Sequence, residues 1–212
     1  MVLAGGSSSR MGRDKALLVL DGRTLARRAA DRLAAVCERV LMADRGRGVA
    51  PGLASVVDGP GRGPAAGILG ATLEAPGHPL LVLACDLPAV PAELLAALAE
   101  RAGRAPDMVL PRWAGGMEPL VAVYGPGALA ALGAQVASGE YSPGRLAARP
   151  DLDVGFLEGE ALAVFGEPEA IFRNVNRPED LEAFQSRGSG GVAAGSPAQA
   201  GQGQSRRRKS KR

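Results

Sequence analysis

The sequence predicts an α/β domain with a mostly parallel sheet, and three observations support it. Hydrophobic residues make up 46% of the 212 residues but aromatic ones only 3%, so the core must be built from Leu, Val and Ala, which suit helices packed on a parallel sheet. Residues 80–85, Leu-Leu-Val-Leu-Ala-Cys, form a continuous apolar run of the kind found in a strand buried on both faces. Before it, the succession of strand, glycine loop and helix occurs twice. The length suits one domain, residues 1–185, followed by a tail.

Met1–Ala4 reads as a short buried strand that runs into Gly5-Gly6-Ser7-Ser8-Ser9, too flexible and polar for regular structure; so short a strand leaves open a true start further upstream. Thr24 is a plausible N-cap for a helix whose apolar positions Leu25, Ala29, Leu33 and Val36 follow helical spacing. Val40–Met42 and Ala54–Val57 read as strands. After Asp58, the prolines and glycines of Gly59–Pro64 forbid helix or ladder, and a helix is expected over Ala65–Glu74. The apolar run to Cys85 stops at Asp86-Leu87-Pro88 before a helix from Pro91 to Ala102, which places Asp86 at the carboxyl end of a central strand, where open α/β sheets bind ligands. Met108–Pro111 and Leu120–Tyr124 are expected strands around a polar loop, Arg112–Pro119. Ala128–Ala137 is expected to be helical, Ala170–Val175 a late strand, and Pro178–Phe184 a final helix.

Charge and cysteine content narrow the function classes. Residues 186–212 hold seven basic side chains and no acidic one; removing them from 25 leaves 18 basic against 22 acidic residues, so the body carries about −4. A low-complexity basic tail, expected to be disordered, on an acidic body is not a nucleic-acid-binding domain, which would carry its charge on a folded face. Cys37 and Cys85 stand far apart in apolar runs, which suggests neither a disulfide framework nor a thiolate metal site and fits a reducing cytoplasm. No apolar stretch reaches the roughly 20 residues of a membrane helix, and the start lacks the pattern of a secretory signal.

The most informative stretch is Leu3-Ala4-Gly5-Gly6-Ser7-Ser8-Ser9-Arg10-Met11-Gly12-Arg13-Asp14-Lys15. Glycines after a strand let backbone N–H groups approach phosphate oxygens, and Arg10 and Lys15 sit where they could neutralise a triphosphate. It is not a P-loop, because five residues separate Gly6 from Gly12 and Arg13 follows; nor does it supply the spacing of a dinucleotide fingerprint. Asp58 could be a solvated loop carboxylate or a ligand acceptor. Asp86 could cap a helix or hold a hard cation, which needs only one or two carboxylates when it keeps waters and phosphate ligands. Asn174 and Asn176, two apart on an expected extended segment, would point to the same side and offer donors and acceptors together.

The pattern L-A-G-G-x-S-x-R-M-G-x-D-K resembles the signature of the molybdenum-cofactor guanylyltransferases, the MobA-like nucleotidyltransferases. The resemblance runs on through Asp58 with Gly63-Pro64-Ala65-Ala66-Gly67, through Cys85-Asp86-Leu87-Pro88, and through Phe172-Arg173-Asn174-Val175-Asn176-Arg177-Pro178-Glu179-Asp180-Leu181. Sugar-phosphate nucleotidyltransferases typically have Pro where Asp14 stands, and cytidylyltransferases acting on the same cofactor usually show Ala-Ala-Gly at the first motif and aspartates in place of the asparagines. The resemblance implies a three-layer α/β/α, Rossmann-like (GT-A-like) fold. It also implies that Leu3, Ala4, Gly5, Gly6, Lys15, Asp58, Asp86, Asn174 and Asn176 surround the nucleotide, with Asp58 accepting from guanine, Asp86 holding Mg²⁺, and Arg10, Lys15 and Asp86 as the catalytic groups. Gly115–Leu120 falls where the family has a loop facing the pterin substrate, with Glu118 in place of a smaller residue; Trp113 could stack on a pterin or pack internally. The family often has an asparagine after its second strand, a contact that here is lost or passes to Asp44.

What the resemblance implies for activity is transfer of GMP from GTP to molybdopterin with release of pyrophosphate. The attacking phosphate is already ionised, so no general base is needed, which agrees with a single histidine, His78, in a Pro/Gly turn away from every motif. Contact with molybdoenzyme apo-proteins or other cofactor-biosynthesis proteins would follow. Two rivals differ in kind: the same chemistry with CTP or another phosphorylated acceptor, and a non-catalytic carrier of the cofactor. Intact Gly5, Arg10, Lys15 and Asp86 speak against the carrier, which need not keep triphosphate and metal groups.

Overall fold

The computed structural model describes residues 1–5, 14–104, 106–176, 179–181 and 184. The expected basic tail, residues 6–13 of the first motif, and the start of the expected final helix at Pro178 lie outside the described residues. The strands are β1 (Val2–Leu3), β2 (Val19–Leu20), β3 (Arg23–Thr24), β4 (Leu41–Ala43), β5 (Ala54–Val56), β6 (Leu80–Ala84), β7 (Met108–Trp113), β8 (Gly116–Met117), β9 (Val121–Tyr124) and β10 (Val154–Leu157). The α-helices are α1 (Leu25–Ala34), α2 (Gly63–Glu74), α3 (Ala92–Ala102), α4 (Pro126–Ala137), α5 (Glu160–Ala163) and α6 (Pro168–Ile171).

The large sheet has the order β10-β7-β9-β6-β1-β4-β5, with β8 paired to the end of β7. β5, β4, β1 and β6 are parallel neighbours, and β10 is parallel to β7; β9 runs against both β6 and β7. Alternate residues of each strand face opposite layers. Val2, Met42, Leu83, Val109 and Val123 pack with α1 and α3 on one face. Leu41, Val82, Leu110 and Tyr124 pack with α2 and α4 on the other. The result is the three-layer α/β/α arrangement, its core aliphatic as the composition requires.

Local chemistry explains most of the element boundaries. The Thr24 hydroxyl accepts from the Arg27 N–H at 3.2 Å and starts α1, whose buried stripe is Leu25, Ala26, Ala29, Ala30 and Leu33. The apolar run over 80–84 is buried throughout as β6. Helix α2 starts earlier than expected, at Gly63, because Pro64 falls in the first turn, where a missing N–H leaves no bond unmade. For the same reason α4 begins at Pro126. The expected polar loop at 112–119 is a hairpin: β7 continues to Trp113 and turns into β8. The expected late strand at Ala170–Val175 does not form: Ala170 and Ile171 end α6, which has Pro168 in its first turn, residues 172–175 are irregular, and the consecutive residues Ile171 and Phe172 are both buried. Helical geometry, in which neighbours flank one stripe, buries two residues in succession where a half-buried strand could not.

A second small sheet, β2 with β3, goes beyond the elements expected from the sequence. Its turn is Asp21-Gly22 with both φ angles positive, 50° and 76°, the backbone that a two-residue hairpin demands and that Asp-Gly supplies. Fully buried Leu20 joins Leu25, Val175 and Leu181 in a separate apolar cluster, so the hairpin is bound to the carboxyl-terminal segment. No helix among the described residues is long and apolar enough to cross a membrane.

The loop after β5 lies directly on α2. A Cβ on Gly70 would stand 2.1 Å from the Val57 carbonyl oxygen, and one on Gly59 would meet the Gly70 nitrogen at 2.7 Å. Replacing a helical glycine with alanine ordinarily gains about 1 kcal/mol of helix propensity, but a clash with backbone cannot be relieved by a rotamer change. Gly70→Ala should therefore destabilise the protein by about 1–3 kcal/mol, measured by urea unfolding; a neutral or stabilising outcome would mean that α2 can shift away from the loop.

Candidate active site

In the series β5-β4-β1-β6 the chain leaves β1 first to one side and later to the other, so β1 and β6 flank the point where the strand order reverses. Connections diverge there and leave a crevice beyond the carboxyl ends of the strands. A cavity of about 450 Å³ occupies that position, within the range of small-molecule sites. Leu3, Ala4 and Gly5 line it from the end of β1, Ala43 from β4, and Ala84, Cys85 and Asp86 from β6; Asp14, Lys15, Arg45, Asp58, Arg62, Gly67 and Leu120 complete most of the wall.

Of the residues singled out in the sequence, Leu3, Ala4, Gly5, Lys15, Asp58 and Asp86 are brought together around this cavity. Gly6 and Arg10 lie outside the described residues. Asn174 and Asn176 are exposed, and Asn176 joins the site through Lys15, whose Nζ donates to Asn176 Oδ1 at 2.6 Å. The backbone makes that meeting possible, because the Val175 N–H donates to the Asp86 carbonyl at 2.8 Å. Val175 is buried against Leu20 and Leu25. The hairpin that follows Lys15 and the segment carrying the asparagines are thus packed on one another.

Asp86 is half-buried, and burial pushes its carboxyl above the ordinary value, while the Lys15 ammonium and a backbone N–H pull it partly back. Cys85, inside the β6 end, is buried and its thiol is pushed up to about 12, chiefly by burial, so it stays protonated at neutral pH and is no nucleophile. Asp58 accepts from Arg45 Nε at 3.1 Å through Oδ2. That pair is partly exposed, and exposed pairs contribute little to stability; what it fixes is the direction of the Asp58 carboxylate. Gly67 keeps space beside it, since a Cβ there would meet Leu3 Cδ2 at 2.9 Å and Asp58 Oδ1 at 3.9 Å.

Asp44 does not take over the contact of the missing asparagine. It is fully buried, accepts from the Val49 N–H at 2.8 Å and from the Ser55 hydroxyl, and so closes its own loop. The next residue, Arg45, in the left-handed region at φ 63°, turns into the cavity instead. Trp113 stacks on Phe172 with ring centroids 4.5 Å apart, which is internal packing. Glu118, on the hairpin beside Leu120, accepts from the Leu120 N–H at 3.2 Å, and burial raises its carboxyl above the ordinary range.

Sequence reasoning missed four cavity or rim side chains: Asp14, Arg45, Arg47 and Arg62. Arg62 is held over the Tyr141 ring at 4.5 Å, at the amino end of α2, where the helix dipole adds positive potential. Among the described residues, the lining balances three carboxylates (Asp14, Asp58, Asp86) with three cations (Lys15, Arg45, Arg62). The alternation of arginine with glycine in Arg45-Gly46-Arg47-Gly48 was the available signal, since a glycine-rich turn at a strand end can aim successive side chains in different directions.

A backbone-lined crevice at the switch point, with a lysine and a half-buried strand-end aspartate on its wall, belongs to the nucleotidyltransferase class. The profile of the MobA-like NTP transferase domain matches residues 1–151, and the chain belongs to that family. It is 33% identical over 184 residues to a probable molybdenum cofactor guanylyltransferase of Pelotomaculum thermopropionicum, covering 85% of this chain and 88% of the relative. It is 35% identical over 201 residues to one from Natronomonas pharaonis, covering 88% and 96%. Among solved structures, molybdopterin-guanine dinucleotide biosynthesis protein A from Archaeoglobus fulgidus superposes with a TM-score of 0.74 at 26% identity, covering 89% of this chain and 97% of that one. 2-C-methyl-D-erythritol 4-phosphate cytidylyltransferase from Thermus thermophilus shares the fold, with a TM-score of 0.61 at 17% identity, over 89% and 97% of the two chains.

The raised Asp86 carboxyl has a measurable cost in the free protein. A carboxyl whose folded-state pKa lies above its ordinary 3.8 destabilises the fold at every pH above the raised value and has no effect below the ordinary one, where it is protonated in both states. Asp86→Asn should raise the thermal midpoint of the ligand-free protein at neutral pH, with the gain vanishing below about pH 3.8. An unchanged midpoint at neutral pH would mean that Lys15 fully offsets the burial of this charge.

Proposed function

We propose that this protein transfers GMP from GTP to molybdopterin, forming the guanine dinucleotide form of the cofactor and releasing pyrophosphate in a Mg²⁺-dependent reaction. The observation that carries the reading is the convergence of the β1 backbone, Lys15, Asp58 and Asp86 on one crevice in a chain whose relatives bear the name of this activity.

Each group has its own physical role. The exit of β1 at Gly5 lets the backbone approach the nucleotide with no side chain in the way. Lys15 supplies a compact positive charge for the phosphates, and its present partner, the neutral Asn176 carbonyl oxygen, is easily exchanged for them. Asp58, with one oxygen held by Arg45, has its other oxygen to accept from the N–H groups of guanine. The attacking phosphate is ionised at neutral pH, so the chain has to position and neutralise rather than remove a proton. Asp86 fits a hard divalent cation: it is a half-buried carboxylate on the cavity wall whose burial favours acquiring a positive partner. A cation that keeps waters and substrate phosphates needs only one or two protein carboxylates, and Asp86 supplies one on the cavity wall. Mg²⁺ bound there would supply charge neutralisation as the pyrophosphate leaves. We place the reaction in the cytoplasm, with molybdoenzyme apo-proteins or other cofactor-biosynthesis proteins as recipients of the product.

The test is pyrophosphate release with GTP, CTP and ATP in turn, with and without molybdopterin and Mg²⁺. Release with GTP alone among the three, dependent on acceptor and metal, is the expected result. Release with CTP would replace the base and keep the chemistry, and no release with any nucleotide would favour a carrier. Lys15→Ala should lower turnover by about two to three orders of magnitude, the scale of losing one preorganised charge at the reacting phosphates, and Asp86→Ala should abolish the metal-dependent rate; near-normal turnover in either would overturn the assignment.

A further inference from the structure

Arg47 lies outside every recognised motif, yet its guanidinium reaches two residues of the cavity wall and one of its own loop. Nη2 donates to the Ala4 carbonyl at 2.7 Å, Nε donates to the Asp44 carbonyl at 2.7 Å, and Nη1 pairs with the Asp14 carboxylate. The rigid fork of a guanidinium can serve several acceptors in fixed directions, which an ammonium cannot. Ala4 is the exit of β1; Asp14 is the residue before Lys15. One side chain therefore fixes where the first strand ends relative to where the lysine begins. Asp14 also acts as a cap, since its Oδ1 accepts from the Ala16 N–H at 3.1 Å and starts the single turn, residues 15–17, that presents Lys15.

The position of Asp14 poses an electrostatic problem. It lines the cavity next to Lys15, and a carboxylate without a cation of its own there would compete for the lysine and repel an anionic ligand. In the structure Lys15 is engaged by the neutral Asn176 side chain, and Asp14 is taken by Arg47. We propose that Arg47 is a positioning residue for the triphosphate: it neutralises Asp14 and ties it to the β1 exit, leaving the charge of Lys15 free for the phosphates. The inference rests on the nucleotidyltransferase reading above and extends it to a residue that touches neither substrate.

Charge and bracing make different predictions in a double variant. Arg47→Ala should weaken binding of GTP with Mg²⁺, measured by calorimetry on the full chain, about tenfold or more, equivalent to about 1.4 kcal/mol. Asp14→Asn retains an oxygen for the Ala16 cap and removes the charge, so Arg47→Ala with Asp14→Asn should recover most of the lost affinity. Arg47→Gln, which keeps an amide donor for the Ala4 carbonyl, is measured in parallel and carries the same comparison if the alanine variant does not fold. Unchanged GTP affinity in both Arg47 variants would overturn the proposal, as would a double variant no better than the single one, which would leave Arg47 a brace only. If the unaltered protein binds none of GTP, CTP or ATP, the nucleotidyltransferase reading fails, and this inference with it; binding by the unaltered protein with no effect at Arg47 sinks the inference alone.

Discussion

The reversal of strand order at β1 is the constraint on which the rest of the site depends. With β4 on one side and β6 on the other, both parallel to it, the chain must depart in opposite directions, and among the described residues a cavity lies beyond the strand ends. Three of the candidate groups reach the crevice from strands placed by this pairing. Gly5 leaves β1, Asp86 ends β6, and Asp58 follows β5, the next strand beyond β4. A sheet with these strands in simple sequential order would have had the same motifs without a common cavity.

Around that opening, charge is distributed by hydrogen bonds between distant segments. Two arginines on one loop, separated by Gly46 at φ 75°, engage two different carboxylates: Arg45 takes Asp58 and Arg47 takes Asp14. Among the described residues no arginine pairs with Asp86, the third lining acid, and burial raises its pKa. It is therefore the acid of the cavity with most to gain from an external cation, while the paired acids serve orientation.

The carboxyl-terminal segment gains its place from a cluster outside the main core. Leu20, Leu25, Val175 and Leu181 form that cluster, and the Val175 N–H bonds to the Asp86 carbonyl, so the asparagines sit beside a strand end more than 80 residues earlier. The extended pattern of alternating Asn, Val and Asn was legible as a displayed pair of amides. The run before it misled, because an apolar stretch of Ala170-Ile171-Phe172 fits a strand as readily as a short helix when length cannot arbitrate. The hairpin at Val19–Thr24 carried its Asp-Gly signal in plain sight, but its strands are only two residues each, too short for alternation to register.

By itself, the sequence determined the aliphatic α/β core, the central buried strand with Asp86 at its end, and the Thr24 cap, because each of these is encoded within a few neighbouring residues. Tertiary structure alone decided which charges pair. That Asp44 is buried and self-satisfied while Arg45 faces the cavity, and that Arg47 rather than Lys15 holds Asp14, depends on backbone directions in a loop between β4 and β5. Such directions are set by left-handed φ angles and by the strands at either end, and a residue string does not record where a side chain points once its loop has been closed.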